Sequence, residues 1–291
     1  MGNELSTGSG LLQAVFGEEA KRQPKKNEYK KDGLIYCEIC NEPKQSTSGG
    51  FLHATLCACE RKKKAEREAA EARQKHAQIV KHRTAACFGD NAKYRACTFD
   101  GCRAGVNERA RQFLYDYCTN WQTMRKENIG LILCGGVGRG KTHLAACMCN
   151  KLIEDYETTA KLITENEFIE RYSSIGDREK YMQELARYSF LVLDEFGVQA
   201  LRQNMTPTGY LPFLEDLINR RYMERAPLVI TTNLSKCFFT KPKNDIITDR
   251  IQSRLIEMAA PPVLFTGKDL RADIQKEKIE RIKHELRSAD R

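Results

Sequence analysis

Residues 135–142 read Gly-Gly-Val-Gly-Arg-Gly-Lys-Thr, with the spacing G-x-x-x-x-G-K-[ST]. Glycines in this pattern let successive backbone N–H groups turn towards one anion, and a following helix adds the positive end of its dipole. Lys141 would place a cation on the β- and γ-phosphates of a nucleotide, and the Thr142 hydroxyl would bind Mg²⁺. The alternative is a glycine-rich turn that happens to precede Lys-Thr. The pattern favours a phosphate-binding loop formed by Gly135, Gly136, Val137, Gly138, Arg139, Gly140, Lys141 and Thr142.

A second pattern is an apolar run, Phe190 to Leu193, that ends in two carboxylates. Ligands of open α/β sheets bind outside the carboxyl ends of the strands. Asp194 would therefore hold Mg²⁺, directly or through water, and Glu195 would orient or deprotonate an attacking water. The alternative is an acidic pair that caps a helix. After a phosphate-binding loop, the pattern is typical of nucleotide hydrolysis.

Two later segments offer further polar groups. The apolar run Leu228 to Thr232 is followed by Asn233, which would hydrogen-bond the γ-phosphate or the water, unless it only ends the strand in a turn. Arg250 and Arg254 stand four residues apart and therefore share a helix face. An Arg near a γ-phosphate stabilises the charge of the transition state. Salt bridges to Asp249 or Glu257 are the alternative for this pair.

Four cysteines lie close together near the N-terminus: Cys37-x-x-Cys40 and Cys57-x-Cys59. Four soft ligands in two pairs suit tetrahedral Zn²⁺, and so small a segment would fold around the metal. His53 is an alternative ligand, and four unligated thiols are the other alternative. Among the remaining cysteines, Cys134, Cys147 and Cys149 occupy strand or helix positions and are interpreted as small apolar core residues.

Composition limits the class of protein. The 291 residues are enough for one sizeable core with a small accessory module, and no apolar run is long enough for a membrane helix. The N-terminus lacks the basic and apolar regions of a secretory signal, so we expect a cytoplasmic protein with reduced thiols. The net charge of +9 favours a polyanionic partner, although charged helix faces would also account for it.

The elements that position these residues follow from hydrophobic patterning. Short, continuously apolar runs alternate with helical stretches from Gly130 onward, which predicts a doubly wound α/β domain with a parallel sheet flanked by helices. The segment 60–83 predicts an exposed helix, and Phe113, Tyr117 and Trp121 predict one amphipathic helix over 107–126 whose aromatic stripe packs. The predicted strands are 131–134, 161–164, 190–193, 228–232 and 263–265, and the predicted helices are 141–155, 165–173, 177–187 and 208–224.

Taken together, these motifs resemble the DnaC/DnaI family of replicative helicase loaders. The matching segments are 130–144, 191–197, 230–234, 249–255 and 267–271, and the Lys-Thr-His-Leu sequence that contains His143 is typical of this group. The resemblance implies an AAA+ ATPase that binds ATP, Mg²⁺ and single-stranded DNA, with an N-terminal module that grips a hexameric replicative helicase. It also implies self-association through the ATPase domains and an Arg finger that reaches the neighbour's nucleotide, for which Arg250 is the first choice and Arg254 the second. Arg271 is expected to be a sensor-like residue at the nucleotide.

The resemblance also completes the predicted domain organisation. The cysteine-bearing module is similar to those of DnaI-like and phage-encoded loaders. The predicted divisions are a mobile basic arm (1–33), a zinc-binding module (34–62), a charged helical linker (63–105), an AAA+ ATPase domain (106–271) and a charged helical tail (272–291).

Two other functions stay open at this point. An IstB-like transposition helper ATPase shares the nucleotide motifs, and the zinc module favours the loader over it. A zinc-containing nucleic-acid-binding module with the nucleotide site as a switch is the third hypothesis. Glu195 argues against a pure switch, because a switch needs no catalytic carboxylate.

Overall fold

The computed structural model describes residues 22–48, 51–103, 106–197, 211–234, 239 and 246–289. The chain divides into two compact units, Met1–Ala77 and Gln78–Arg291. Most of the predicted basic arm, residues 1–21, lies outside the described residues, as do residues 208–210 of one predicted helix and the last two residues of the predicted tail. Among the described helices, none has the length and apolar character to cross a membrane.

The N-terminal unit contains two antiparallel hairpins. Strands β1 (Glu28–Lys31) and β2 (Leu34–Cys37) form the first, and β3 (Gln45–Ser48) and β4 (Phe51–Ala54) form the second. The first hairpin corrects the predicted arm, which extended to residue 33. Asp32 and Gly33 have φ values of 50° and 81°, and Asp-Gly is a favoured two-residue hairpin turn because it tolerates positive φ at both positions.

Helix α1 (Ala58–Phe88) is longer at both ends than the predicted segment 60–83. Its middle is exposed along almost every residue, as expected from its few large apolar side chains. Pairs such as Arg67 and Glu71, four residues apart with 2.7 Å between Nε and Oε1, support an exposed helix of this kind. The helix ends in two buried residues, Cys87 and Phe88, which pack into the core of the C-terminal unit.

The amphipathic segment after residue 106 forms two helices where one was predicted. Helix α2 (Glu108–Thr119) ends at Asn120, and α3 (Trp121–Lys126) begins directly after it. The Asp116 carbonyl accepts both the side-chain Nδ2 of Asn120 (2.9 Å) and its backbone N–H (3.0 Å), and Asn120 itself has non-helical φ and ψ values of -98° and 23°. The predicted aromatic stripe packs only in part: Tyr117 and Trp121 are buried, whereas Phe113 is 43% exposed.

A five-stranded parallel sheet organises the C-terminal unit, as predicted. Its strand order is β6-β7-β8-β5-β9. The strands are β5 (Leu131–Gly135), β6 (Ala160–Thr164), β7 (Phe190–Phe196), β8 (Leu228–Thr232) and β9 (Val263–Phe265). All five lie within one or two residues of the predicted runs, except that β7 continues three residues beyond Leu193.

Helices cover both faces of this sheet, which is why its strands are continuously apolar. Successive side chains along a strand point to opposite faces. Leu131 and Leu133 of β5 accordingly pack into one core cluster, with α2 and the helix that follows the glycine-rich loop, while Ile132 and Cys134 pack into the other. The remaining helices are α4 (Lys141–Tyr156), α5 (Glu165–Ser174), α6 (Arg178–Arg187), α7 (Leu211–Met223), α8 (Ile246–Met258) and α9 (Arg271–Ala289).

Candidate nucleotide-binding site

The glycine-rich loop connects the end of β5 to the first turn of α4, the context that the phosphate-loop prediction requires. Gly138 has a φ of 73°, and a Cβ at this position would lie 1.8 Å from Asp269 Oδ1. The backbone N–H of Leu270 donates to the Gly138 carbonyl at 3.0 Å. The loop therefore needs glycine here both for its conformation and for its contact with the segment after β9.

Lys141, the first residue of α4, is buried, with 8% of its surface exposed. Its Nζ donates three hydrogen bonds of 2.8 Å each, to the carbonyls of Gly135 and Gly136 and to Asn233 Oδ1. Burial lowers the pKa of Lys141, since desolvation disfavours the charged amine. Within the described part of the chain, no carboxylate forms an ion pair with this amine. A buried cation held by neutral oxygens fits a site for an anionic ligand such as a triphosphate.

Asp194 lies at the carboxyl end of β7 and is 3% exposed. Its Oδ1 accepts hydrogen bonds from the Thr142 hydroxyl (2.8 Å) and from the Thr231 hydroxyl. Burial raises the pKa of Asp194, and these two hydrogen bonds oppose that rise. Thr142 and Asp194 thus place two hard oxygen donors side by side, which is the ligand chemistry that Mg²⁺ prefers.

Glu195 follows Asp194 in an unusual backbone conformation, with a φ of 58°. The pairing of β7 with β8 is irregular between Leu193 and Phe196, so Glu195 occupies a bulge. Its N–H donates to Thr231 Oγ1 at 3.1 Å. As a result Asp194 is buried beneath the loop while Glu195 is exposed. Positive φ in a non-glycine residue is strained and is concentrated at functional sites.

A cavity of about 490 Å³ opens at this edge of the sheet. It brings together most of the residues that the sequence assigned to the nucleotide. Those that line it are Val137, Gly138, Arg139, Gly140, Lys141, Thr142, His143, Glu195, Asn233 and Arg271. Gly135 and Gly136 contribute through their carbonyls to Lys141, and Asp194 through its bond to Thr142. A volume of this size is typical of cofactor-sized ligands.

Arg250 and Arg254 do not line this cavity in the described chain. The Arg250 side chain is 62% exposed, and its Nη1 lies 3.6 Å from Glu215 Oε1. Arg254 lies over the ring of Tyr222, 5.8 Å from its centroid. The partner seen for Arg250 is therefore Glu215, which the sequence analysis did not consider. The two arginines are thus separate from the nucleotide cavity of their own chain.

Asn107 is a residue that the sequence patterns did not single out. Its side-chain Nδ2 donates to the carbonyl of Arg139 (2.8 Å), and its Oδ1 accepts from the N–H groups of Thr266 (3.1 Å) and Gly267 (3.3 Å). One amide side chain therefore ties the phosphate loop to the segment after β9. A lone Asn before a helix carries no local signal for contacts so distant in sequence.

The four N-terminal cysteines come together as predicted. Cys37 ends β2, Cys40 follows in a turn, and Cys57 and Cys59 flank the start of α1. Their sulfur atoms all lie within 4.8 Å of one another, and His53 is not among this group of described donor atoms. Hydrogen bonds from the backbone N–H groups of Glu42 and Cys59 lower the pKa of the Cys40 thiol to about 6. Four sulfurs so close together are consistent with a tetrahedral zinc site.

A second group of sulfur and nitrogen donors lies in the C-terminal unit. The donor atoms of Cys102, His143 and Cys147 also lie within 4.8 Å of one another. Cys147 is 1% exposed, as expected of the core residue it was interpreted to be, and so are Cys134 (1%) and Cys149 (0%). The sequence patterns did not predict that Cys147 would meet a second cysteine and a histidine.

Comparison with known proteins places this architecture in a family. The model of the family described as IstB-like ATP binding protein matches residues 65–268. The replicative helicase loader DnaC of Escherichia coli (strain K12) is 26% identical over 209 residues, which cover 68% of this chain and 79% of that protein. YdaV, an uncharacterized protein of the same strain, is 24% identical over 184 residues, which cover 62% and 70%.

Solved structures agree on the fold. The crystal structure of the DnaI aligns with a TM-score of 0.52 at 18% identity, covering 62% of this chain and 93% of that chain. At this identity the likeness concerns the fold alone. The expected resemblance to DnaC/DnaI-like AAA+ proteins is confirmed, and because the family model matches more than half of its residues, this chain belongs to the family of IstB-like ATP binding proteins.

Proposed function

We propose that this protein hydrolyses ATP to load a hexameric replicative helicase onto single-stranded DNA. The observation that carries the ATPase part is the hydrogen bond from Thr142 to Asp194, next to buried Lys141 and with Glu195 facing the cavity. A site that only bound nucleotide would not require the Glu195 carboxylate. The membership of an ATP-binding family supports the same assignment.

Each group in the cavity has a proposed task. Lys141 and the backbone amides of residues 135–142 bind the triphosphate. Thr142 and Asp194 would hold Mg²⁺, whose charge would offset that developing on the phosphates. Glu195 accepts a proton from the attacking water, and Asn233, 2.8 Å from the Lys141 amine, orients the water or the γ-phosphate.

Three arginines have roles outside this central group. We assign Arg250 as the finger that enters the site of a neighbouring copy, because its side chain is exposed and separate from its own cavity. Arg254 is the second choice for this role. Arg271 lines the cavity and is assigned as a sensor of the bound nucleotide.

The assignment of helicase and DNA as partners depends on the similarity to DnaC and on the positive net charge of the chain. The relative DnaC is named as a replicative helicase loader. The net charge of +9 supports contact with a phosphate backbone. We assign helicase binding to the module of residues 34–62, folded around zinc, and ATP-driven self-association to the domain of residues 106–271.

A transposition helper ATPase is the second candidate, because the matching family model carries the IstB name. It would use the same nucleotide site, so ATP hydrolysis does not distinguish the two functions. The identity of the protein that binds the ATP-bound form distinguishes them.

Helicase loading can be measured on closed-circular single-stranded DNA. A closed hexameric ring cannot thread onto a circle, so unwinding of an annealed tailed oligonucleotide requires that the ring be opened. We expect unwinding by the host's replicative helicase to depend on this protein and on ATP. Lys141→Ala should remove the effect, and Lys161→Ala, a lysine outside the cavity, should retain it.

A parallel measurement uses the cognate transposase and its target DNA. Stimulation of the transposase with no effect on the helicase would contradict the loader and favour the transposition helper. Activity on neither would contradict both partner assignments while leaving ATP hydrolysis to be measured separately.

A further inference from the structure

Four side chains lie together beside the nucleotide cavity. The donor atoms of Cys102, His143 and Cys147 all lie within 4.8 Å of one another. Cys97 joins them through His143, because its sulfur lies 3.4 Å from the Nδ1 of that imidazole. Three thiols thus lie around one imidazole between α4 and the segment that precedes α2, and Cys97 stands beside the three residues whose donor atoms all lie within 4.8 Å of one another.

Two elements bring the cluster together. His143 and Cys147 are four residues apart on α4 and therefore share a helix face. Cys97 and Cys102 lie in the segment after the 3₁₀ turn Ala92–Tyr94. Asn150 of α4 holds that segment, since its Nδ2 donates to the carbonyl of Cys97 at 2.8 Å and to that of Tyr94 at 2.8 Å.

The spacing of the four residues is typical of zinc ligands. Cys97-x₄-Cys102 and His143-x₃-Cys147 both fall within the ranges found in the two halves of zinc fingers. In a tetrahedral site, a zinc-bound sulfur and a zinc-bound nitrogen lie about 3.6 Å apart, from bond lengths near 2.3 and 2.1 Å. The observed 3.4 Å between the sulfur of Cys97 and the nitrogen of His143 is close to that separation.

A simpler explanation is that these are core thiols with weak hydrogen bonds to carbonyls. The sulfur of Cys97 lies 3.7 Å from the Lys93 carbonyl, and that of Cys102 lies 3.5 Å from the Thr98 carbonyl. Such bonds satisfy each thiol separately and do not require that the side chains converge. Cys118 is fully buried and lies outside both groups of donor atoms found among the described residues.

We propose that Cys97, Cys102, His143 and Cys147 form a second metal site that binds Zn²⁺. Three thiolates and an imidazole are soft and borderline ligands that select zinc over Mg²⁺. Four protein ligands leave no open position, so the ion is structural. It cross-links the segment 97–102 to the first two turns of α4, directly after the Lys141–Thr142 pair of the phosphate loop.

Zinc content of the full-length protein tests this site separately from the N-terminal one. Cys40→Ser with Cys59→Ser removes two ligands of the N-terminal cluster, and Cys102→Ser with Cys147→Ser removes two of the second. We expect the wild type to hold about two zinc ions per chain, each double variant about one, and the combined variant none, as four-ligand structural sites require. Cys118→Ser is the matched control and should keep the wild-type content.

Two outcomes would overturn the proposal. One is a Cys40→Ser, Cys59→Ser protein that holds no zinc. The other is a folded Cys102→Ser, Cys147→Ser protein with undiminished zinc. If the Cys102→Ser, Cys147→Ser protein fails to fold, X-ray absorption of zinc in the Cys40→Ser, Cys59→Ser protein takes its place. There we expect a mixed shell with sulfur at about 2.3 Å and nitrogen at about 2.1 Å, and a shell without nitrogen would contradict the assignment.

Discussion

Glu195 combines a strained backbone with an exposed carboxylate, and we expect it to serve catalysis rather than stability. Glu195→Gln keeps the size of the side chain but cannot accept a proton. Hydrolysis should therefore fall by a factor on the order of 10² or more while ATP still binds, because loss of a general base typically has that effect. Turnover and nucleotide affinity are measured separately on the purified protein.

The matched control for this experiment is Glu224→Gln, an exposed glutamate that follows α7 and does not line the cavity. It should keep the wild-type rate. A Glu195→Gln protein with unchanged turnover would remove this carboxylate from its proposed role.

Thr231 supports both acidic residues from the neighbouring strand. Its hydroxyl donates to Asp194 and accepts the N–H of Glu195 (3.1 Å), and the residue is 1% exposed. Thr231→Val has the same shape but leaves these partners unsatisfied, so the free energy of unfolding should fall by about 1–3 kcal/mol. We also expect slower hydrolysis, since the bulge at Glu195 loses its anchor.

Thr231→Ser retains the hydroxyl and should behave like the wild type in both respects. Denaturant unfolding and ATP turnover measure the two effects. Equal values for the Val and Ser variants would show that the hydroxyl does not position the acidic pair.

The motif residues can be predicted from the sequence, but the residues that hydrogen-bond to them and hold them in place cannot. The spacing of the glycines with Lys141 and Thr142, and a strand that ends in Asp194 and Glu195, are contiguous patterns. The contacts of Thr231 and of Asn107 join segments far apart in the chain. No local pattern encodes such contacts.

Two adjacent arginines show how elements are held together. Arg221 of α7 is completely buried, and its guanidinium donates to the carbonyls of Ala186 (3.0 Å) at the end of α6 and of Pro227 (2.5 Å) before β8. Arg220 instead pairs at the surface with Glu179 (2.8 Å) and Asp216 (3.0 Å). The same residue type therefore has two different structural roles one position apart.

Replacing each arginine by methionine should separate these roles. Arg221→Met leaves buried carbonyls without donors and should lower the free energy of unfolding by at least about 2 kcal/mol. Arg220→Met removes only exposed ion pairs and should lower it by less than about 1 kcal/mol. Urea unfolding measures both, and a smaller effect for Arg221→Met than for Arg220→Met would contradict this interpretation.

The bounds of helices and strands were predicted well in segments where the apolar residues follow a single pattern, either helical or a continuous strand run. The five strands of the main sheet and the helices α4, α5 and α6 lie close to their predicted bounds, and Thr164 with Glu167 forms a capping box at the start of α5. The errors have local causes. Asn120 has a non-helical φ of -98° and ψ of 23° between α2 and α3, and the Asp32–Gly33 turn makes a hairpin from residues assigned to an arm.

The exposed Arg250 side chain is placed to act between copies of the chain. If Arg250 completes the site of a neighbouring copy, turnover per chain should rise with protein concentration. Arg250→Ala should bind ATP but lose this rise, because its copies have no finger to offer. A rate independent of concentration in the wild type would argue against a finger in trans.

Mixing variants gives a sharper test of the same idea. Arg250→Ala retains an intact cavity, and Lys141→Ala retains an intact finger. Equimolar mixtures should therefore recover part of the turnover that each variant lacks alone. No recovery would place Arg250 in its own chain's chemistry, and Arg225→Ala, an exposed arginine elsewhere, is the control that should stay active.

Contiguous sequence patterns are enough to predict which residues would bind phosphate and metal. A phosphate-binding loop, a set of metal ligands and a strand that ends in carboxylates each consist of certain residue types at short spacings. Such patterns can be recognised in the sequence without knowledge of the fold. The alternation of apolar runs with helical stretches also determined the α/β class, because burial on both faces of a parallel sheet demands it.

Which groups that are distant in the chain come into contact depends on the packing of the elements. The strand order places β8 between β5 and β7, so Thr231 can hydrogen-bond both Asp194 and the backbone of Glu195. The segment 97–102 packs on α4, and Cys147, interpreted from the sequence as a core residue, therefore lies close to Cys102 and His143. These contacts arise because whole helices and strands are buried against one another. Their positions depend on many segments of the chain together, so no single segment predicts them.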